Sequence, residues 1–184
     1  MESPMTIYRF PAEAGAAIAG GPPTANAITE VLDRFGLPSA GLRILLRGSA
    51  ATLEGSVPDD ATRERVVLAV GNLQGIGQVD DRLTVAESSG LLDTLGGFAR
   101  LPAGAASVDA AEAAVHRATP EPGTVFGPAG SLLHTVQPGE TLTDIASRHY
   151  GGPGETRRIL EANAPILADA EALRPGMVLR LPPR

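Results

Sequence analysis

The sequence predicts an α+β fold made of two small domains that are joined by a long linker rich in Ala, Gly and Pro. Helix and strand patterns follow one another over residues 24–86, and a second compact set of patterns fills residues 132–184. Residues 87–131 are dominated by small residues and helix breakers, which favours a tether over a third domain. Residues 1–23 form a separate N-terminal segment that ends in a Gly-Gly-Pro-Pro run.

The first domain is predicted to run helix, strand, strand, helix, strand. Residues 24–35 form the first helix, because large apolar side chains recur at helical spacing along them. This buried stripe consists of Ile28, Val31, Leu32 and Phe35. The strands at residues 42–47 and 50–57 flank Gly48-Ser49, a sequence that is typical of a hairpin turn.

Residues 66–83 contain the end of the second helix, a glycine-rich turn and most of the last strand. The helix begins at Asp59-Asp60, because acidic side chains suit the positive end of a helix dipole. From Val79 to Val85, one set of alternating residues is apolar except for Asp81. We therefore expect the two helices to cover one face of a small sheet.

Gly71 is expected to end the second helix in the left-handed conformation, as Gly often does. The last turns are expected to be amphipathic, with a single buried stripe formed by Val66, Ala69, Val70 and Leu73.

A helix C-terminus leaves about four carbonyl oxygens without partners, and the dipole makes that end negative. With Gly75 and Gly77 permitting close approach, inward-facing carbonyls would suit a weakly hydrated cation. Turn chemistry alone also explains the glycines, so an ordinary helix-to-strand connection is the alternative.

The second domain is predicted to be a βααβ unit. A strand at residues 134–136 leads into a Pro138-Gly139 turn, and Thr141 forms a capping box with Asp144 at the start of the first helix. The second helix is expected to bury one face, formed by Thr156, Ile159, Leu160 and Asn163. A Pro175-Gly176 turn precedes the closing strand.

Composition and charge narrow the class of partner. The formal net charge is −6, and all 15 basic residues are Arg, without a basic cluster. This disfavours nucleic acid and anionic lipid as partners. The chain has no Cys and begins without a secretory signal pattern, which together favour the cytoplasm. No apolar stretch approaches ~20 residues, so no membrane span is predicted.

The sequence offers no catalytic constellation, and we expect a protein that is not an enzyme. His116, His134 and His149 lack the spacing of metal ligands; His134 is expected to point inward from a strand, and His149 lies either on a helix face or at a helix end. Gly75-Ile76-Gly77 follows a helix rather than a strand, so it is not a dinucleotide-binding fingerprint. Asp80-Asp81 lies on a strand, where neighbouring side chains point to opposite faces.

Two long runs of residues resemble known bacterial families. The run GLRILLRGSAATLEGSVPDDATRERVVLAVGNLQGIGQVDDRLTV resembles a BON domain, and HTVQPGETLTDIASRHYG, RRILEANAPIL and LRPGMVLRLP together resemble a LysM domain. BON followed by LysM is similar to the architecture of the bacterial BON–LysM potassium-binding proteins. The segment Phe10 to Gly15 is similar to the leading segment of that family, which packs on the BON domain.

This resemblance implies a cytoplasmic potassium sensor or buffer, with K⁺ as its ligand and no organic cofactor. The implied ligands are main-chain carbonyls of Gly71, Leu73 and Ile76 in the helix-end loop, with Pro11 and Ala14 from the N-terminal segment. The LysM domain would then be a structural partner that closes over the BON domain when the ion binds.

The LysM resemblance also implies an alternative, which is binding of N-acetylglucosamine-containing glycans such as peptidoglycan or chitin. The corresponding groove would be formed by two loops, Gly139, Glu140, Thr141 and Leu142 on one side and Ala164, Pro165, Ile166 and Leu167 on the other. The chain has no Trp, a common stacking surface for sugar rings. A second alternative is a non-catalytic adaptor that joins protein partners in a larger assembly.

Overall fold

The structure, a computed structural model, describes residues 6–18, 21–86 and 125–183. In chain order the helices and strands are β1 (Thr6–Arg9), α1 (Ala25–Arg34), β2 (Arg43–Arg47), β3 (Ala50–Val57), α2 (Asp60–Gly71), β4 (Gln78–Val85), β5 (Val125–Phe126), β6 (Leu132–Thr135), α3 (Leu142–Tyr150), α4 (Thr156–Asn163) and β7 (Val178–Leu181). Short 3₁₀ helices lie at Pro153–Glu155 and Ala170–Ala172. The predicted α+β class is confirmed.

Several local predictions agree with the structure because their causes lie within a few residues. Thr24 caps α1, and the Asp59 carboxylate caps α2 by accepting a hydrogen bond of 2.6 Å from the Thr62 N–H. The hydrogen bonds from the main chain and the side chain of Thr62 hold the pKa of the Asp59 carboxyl below its ordinary value. The strands β2 and β3 pair across Gly48-Ser49, with Arg47 opposite Ala50.

The first sheet contains a strand that the sequence patterns do not predict. Its strand order is β1-β4-β3-β2, in which β3 and β4 are parallel and the other two pairings are antiparallel. The additional strand is β1, which lies inside the N-terminal segment and pairs Tyr8 with Val79 of β4. The helices α1 and α2 pack on the face of the sheet that holds Ile44, Leu53 and Val79.

The prediction of an amphipathic α2 with one buried stripe is wrong. Val67 and Leu68, which lie outside the predicted stripe, are as fully buried as the residues on it. The helix contacts the first sheet on one side and strand β7 of the C-terminal domain on another. A helix that is buried around its circumference has no reason to keep a polar face.

The conformational role predicted for Gly71 is also wrong. Gly71 is the last helical residue, it does not have a positive φ, and Asn72 follows it as the C-cap at φ −83°. The absence of a side chain matters here for a different reason, because a Cβ at Gly71 would overlap the Phe10 ring. Gly71 thus provides space for the N-terminal segment.

The C-terminal domain has the predicted helices and turns. The Thr141–Asp144 capping box starts α3, and Gly151 in the left-handed conformation ends it. Strands β6 and β7 are antiparallel, and β5 adds a third strand whose residues fall within the range that the sequence patterns assign to the linker. A separate core lies beneath the two helices, with Ile145, Ile159 and Leu179 at its centre.

Some predicted features lie outside the described residues. These are most of the predicted linker, over residues 87–124, and His116. None of the helices within the described ranges has the length and apolar character needed to span a membrane.

Candidate functional site

The N-terminal segment lies along the loop that follows α2 and is bonded to it through the main chain. Four hydrogen bonds join them: Phe10 N–H to Gly77 O at 3.0 Å, Ala16 N–H to Asn72 O at 2.8 Å, Gln74 N–H to Ala16 O at 3.0 Å and Gly75 N–H to Ala12 O at 2.8 Å. Ala16 and Leu73 also form an isolated parallel bridge. The segment is therefore part of the wall around the helix-end loop.

Glycines permit this close contact. A Cβ on Gly15 would overlap the backbone of Leu73 and Gln74, so the segment could not reach the loop with any other residue at that position. Gly75 has φ +94°, a conformation that L side chains rarely adopt. The glycines of this region therefore serve backbone packing, as the sequence predicts, although Gly71 does so by accommodating a ring.

The structure brings the five predicted carbonyl ligands into one neighbourhood. Pro11 and Ala14 lie on the segment, Gly71 is the last residue of α2, and Leu73 and Ile76 lie on the loop to which the segment is bonded. The Pro11 carbonyl accepts from the Ala14 N–H at 3.0 Å, and the Leu73 carbonyl accepts from the Ile76 N–H at 3.1 Å. Among the described residues none donates a hydrogen bond to the carbonyls of Ala14, Gly71 or Ile76.

A cavity of about 200 Å³ adjoins these groups. Its wall includes Ala14 and Leu73 on one side and Ile166 and Met177 of the C-terminal domain on the other. The lining is mostly apolar, with Arg174 as its charged member. Over the described ranges no cluster of three or more His, Cys, Asp or Glu residues suits a metal ion.

Asn72 connects the helix-end loop to the C-terminal domain. Its side-chain amide donates to the Val178 carbonyl at 2.8 Å, and its side-chain oxygen accepts from the Val178 N–H at 2.8 Å. The residue is 4% exposed, and its own carbonyl accepts from Ala16. One residue thus bonds the end of α2, the N-terminal segment and the edge of β7.

A buried carboxylate forms a second connection between the domains. Glu64 on α2 is 1% exposed, and it lies 2.5 Å from Arg180 Nε on β7. Its other oxygen accepts from the Ala129 N–H at 2.7 Å. A Cβ on Gly127 would overlap this carboxylate, so the chain that leads into β6 also packs against Glu64.

A buried ion pair lies beneath strand β1. Arg63 Nε is 2.8 Å from the carboxylate of Asp81, which is fully buried and also accepts from the Leu83 N–H. Burial raises the pKa of the Asp81 carboxyl, and the hydrogen bonds from Leu83 and Arg63 oppose this. Removing one partner of such a pair leaves an uncompensated charge in the core.

Only some residues of the predicted glycan groove are exposed and could contact a ligand. Leu142 and Leu167 are core residues, and Ile166 packs against both hydrophobic cores. The exposed members are Gly139, Thr141, Ala164 and Pro165, with a cis peptide bond between the last two.

Glu140, the remaining groove residue, is engaged inside its own domain. Its carboxylate lies 2.7 Å from His134 Nε2, accepts from the Gln137 N–H at 3.0 Å and pairs with Arg148 at 2.6 Å. Burial alone would raise the pKa of this carboxyl, but the bonds from His134, Gln137 and Arg148 outweigh burial and lower it. His134 points inward, as predicted, and its ring contacts His149 in the last turn of α3.

Sequence reasoning missed Asn72 and Glu64, two residues whose side chains hydrogen-bond to strand β7 of the C-terminal domain. Asn72 directly follows a helix-ending Gly, where an Asn is readily attributed to the turn. Glu64 lies in a Thr-Arg-Glu-Arg run that is typical of a solvated helix face. The available signal was the unbroken apolar run from Val66 to Val70 in the following turns, because it leaves that part of the helix without a solvated face.

The comparisons with known proteins agree with this architecture. The LysM domain family matches residues 134–182. The chain is also 28% identical to the potassium binding protein Kbp of Escherichia coli O6:H1 (strain CFT073) over 159 residues, which are 86% of this chain and 80% of that protein. These findings confirm the resemblance to a potassium-binding protein and the LysM domain in the C-terminal part of the chain.

Proposed function

We propose that this chain, which contains a LysM domain and is similar to the potassium binding protein Kbp, binds a potassium ion through main-chain carbonyls and acts as a cytoplasmic sensor or buffer. The proposed ligands are the carbonyl oxygens of Pro11, Ala14, Gly71, Leu73 and Ile76. The proposed role is binding, not catalysis.

One observation carries this proposal. The N-terminal segment is bonded to the helix-end loop, and this arrangement leaves the carbonyls of Ala14, Gly71 and Ile76 without donors among the described residues. The C-terminal end of α2 adds the negative end of a helix dipole. Oxygens of this kind can replace the hydration shell of a potassium ion.

The contacts between the domains support a conformational role for the LysM domain. Asn72 lies between two proposed ligands, Gly71 and Leu73, and its side chain bonds Val178 of β7. Gly176 of the LysM domain lies against Ala14 and Pro11, because a Cβ at Gly176 would contact both side chains. An ion that binds the packed arrangement better than an open one would shift the population toward the packed state.

The first prediction is a potassium-specific increase in stability. We expect the melting temperature to rise in potassium chloride relative to sodium chloride at equal ionic strength. A ligand that binds only the folded state adds about 2.7 kcal/mol at a hundredfold excess over Kd, which corresponds to several degrees. Differential scanning calorimetry across a series of potassium concentrations measures this effect.

A matched pair of variants tests the location of the site. Gly15→Ala places a Cβ against the loop backbone and should abolish the potassium-specific rise, whereas Gly154→Ala meets no atom within 4 Å and should retain it. Identical melting curves in both salts for the parent chain would refute potassium binding. A rise that survives in Gly15→Ala would place the ion elsewhere.

Glycan binding is the second candidate, and the LysM match together with the exposed Gly139, Thr141, Ala164 and Pro165 supports it. Sedimentation with insoluble chitin and with peptidoglycan separates the two functions. Glycan binding would be favoured over potassium binding if the insoluble glycan retains the chain, substitution of Thr141 or Pro165 abolishes this retention, and potassium does not change the melting temperature.

A further inference from the structure

Strand β2 forms an open edge of the first sheet. The strand order β1-β4-β3-β2 leaves β2 with β3 as its hydrogen-bonded neighbour on one side. Arg47 and Ala50 close the two-residue turn, and antiparallel strands point alternate peptide groups toward and away from the partner strand. The peptide groups of Ile44 and Leu46 therefore face outward, and no described residue outside β3 bonds to the main chain of β2.

The side chains of β2 that point away from the helices form a short alternating pattern. Arg43, Leu45 and Arg47 are exposed, while Ile44 is buried beneath α1. Leu45 is 45% exposed, one of the two large apolar side chains with high exposure among the described residues. In the β2–β3 pairing, the three exposed residues of β2 lie opposite Glu54, Thr52 and Ala50 in turn.

Arg43 and Arg47 form no ion pair with any described residue, whereas Arg82, farther into the same face, pairs with Asp80 and Glu54. The chain as a whole carries a net charge of −6. The open edge of β2 is therefore a local positive site on an acidic protein.

We propose that the edge of β2 receives an extended acidic segment of a protein partner, which adds a strand to the sheet. Main-chain bonds would form with Ile44 and Leu46, and alternate side chains of the segment would lie beside Arg43, Leu45 and Arg47. The favoured segment has the pattern acidic, any, aliphatic, any, acidic, because each outer acid then faces an arginine and the aliphatic residue covers Leu45. This proposal stands apart from potassium binding, since β2 contains none of the proposed ligands.

Charged residues also occur on edge strands simply to prevent aggregation. The two explanations predict different behaviour. Arginines that only protect the edge would leave it without measurable affinity for an added strand of either charge, whereas a docking edge binds an acidic strand and discriminates against a basic one. Leu45 lies exposed between the two arginines, where an aliphatic side chain of an added strand would cover it.

The experiment measures binding of two fluorescein-labelled peptides, TETLTET and TKTLTKT, to the full chain by fluorescence anisotropy at low ionic strength. We expect the acidic peptide to bind at least tenfold more tightly than the basic one. The variant Arg43→Glu/Arg47→Glu should reverse this preference, and Leu45→Thr should weaken both interactions. Circular dichroism and melting curves of each variant verify that the sheet is intact.

Several results would overturn the proposal. Equal binding of the acidic peptide to the parent chain and to the charge-reversed variant is one, and absence of binding to the folded parent chain up to 1 mM peptide is another. Self-association of the parent chain through β2, seen by sedimentation velocity and lost in the variant, would assign the edge to a second copy. Cosedimentation with phosphatidylglycerol vesicles in place of peptide binding would assign it to a lipid surface.

Discussion

Tyr8 joins the N-terminal strand to the interior of the first domain. It is 4% exposed, pairs with Val79 in the sheet register and lies near the buried Arg63–Asp81 pair. Burial, reinforced by the negative charge of Asp81, raises the pKa of the Tyr8 hydroxyl to about 12. The charged form of this side chain is thus strongly disfavoured while β1 stays in place.

The ionisation of Tyr8 therefore reports whether β1 is docked. The chain contains no Lys or Cys and two tyrosines, so Tyr150→Phe leaves Tyr8 as the one phenol. We expect its absorbance at ~295 nm to titrate with a midpoint near 12, whereas a solvent-exposed tyrosine titrates near 10.

The sign of the effect on stability follows from the same pKa difference. The folded chain holds the Tyr8 proton more tightly than the unfolded chain, so the stabilisation is complete below about pH 10 and is lost as the pH rises toward 12. Tyr8→Phe should remove this part of the alkaline destabilisation. A midpoint near 10 in a chain that is folded by circular dichroism would contradict the docking of β1.

At the scale of single elements, Gly71 offers a test in which two physical effects have opposite signs. Helix propensity predicts that Gly71→Ala stabilises α2 by about 1 kcal/mol. The packing of Phe10 predicts a loss of about 1–3 kcal/mol, because the new methyl group overlaps the ring. We expect the loss, measured by urea unfolding.

A second variant identifies the cause of that loss. Phe10→Ala creates a cavity and is destabilising alone, but the double variant with Gly71→Ala should cost less than the sum of the two single changes. Gly154→Ala, where no atom lies within 4 Å, serves as the matched control and should be close to neutral. Strict additivity would show that Phe10 does not pack on Gly71 in solution.

The elements also show which features were accessible from sequence. The helix α1, the β2–β3 hairpin and the α3 capping box are specified by neighbouring residues, and the sequence predicts all three. Strand β1 was missed because it is four residues long and its partner, β4, begins about seventy residues later. The burial of α2 was misjudged because the second domain, which covers its remaining side, contributes nothing to the local pattern.

In the candidate site, too, the features that depend on neighbouring residues were predictable from sequence, and those that depend on distant residues were not. Gly71 and Gly75 signal close backbone packing in the sequence, and the loop carbonyls follow from the position of a helix end, whereas the contact of Gly15 with the loop is seen only in the structure. Asn72 and Glu64 act on β7, which is more than a hundred residues away, so their roles depend on how the domains pack. Contacts of that range have no local signature.

At the scale of the whole molecule, two asparagines occupy the open edge of β7. Asn163 of α4 exchanges hydrogen bonds with the main chain of Arg180, and Asn72 does the same with Val178. One contact lies inside the C-terminal domain and the other crosses between the domains. This equivalence makes the two residues matched probes of domain packing.

We predict that Asn72→Ala separates the domains, whereas Asn163→Ala destabilises the C-terminal domain without separating them. Each change leaves one N–H and one C=O of β7 without partners, which costs about 1–3 kcal/mol where the strand is buried. In Asn72→Ala, however, opening the interface lets water satisfy Val178. Small-angle X-ray scattering should therefore show a larger radius of gyration for Asn72→Ala than for Asn163→Ala, and calorimetry should show two separated transitions.

The effect of potassium on this separation of the domains tests whether the helix-end loop and strand β7 are coupled. If Asn72 transmits the state of the helix-end loop to β7, potassium should reduce the radius of gyration of the parent chain and have less effect in Asn72→Ala. A compact Asn72→Ala variant with one transition would mean that the remaining contacts, which include the buried Glu64–Arg180 pair and the apolar packing of Val178, suffice to hold the domains together. Glu64→Gln added to Asn72→Ala then tests the ion pair, because the double variant removes the Asn72 hydrogen bonds and the buried charge of Glu64 and leaves only the apolar packing of Val178 and the neutral hydrogen bonds between α2 and β7.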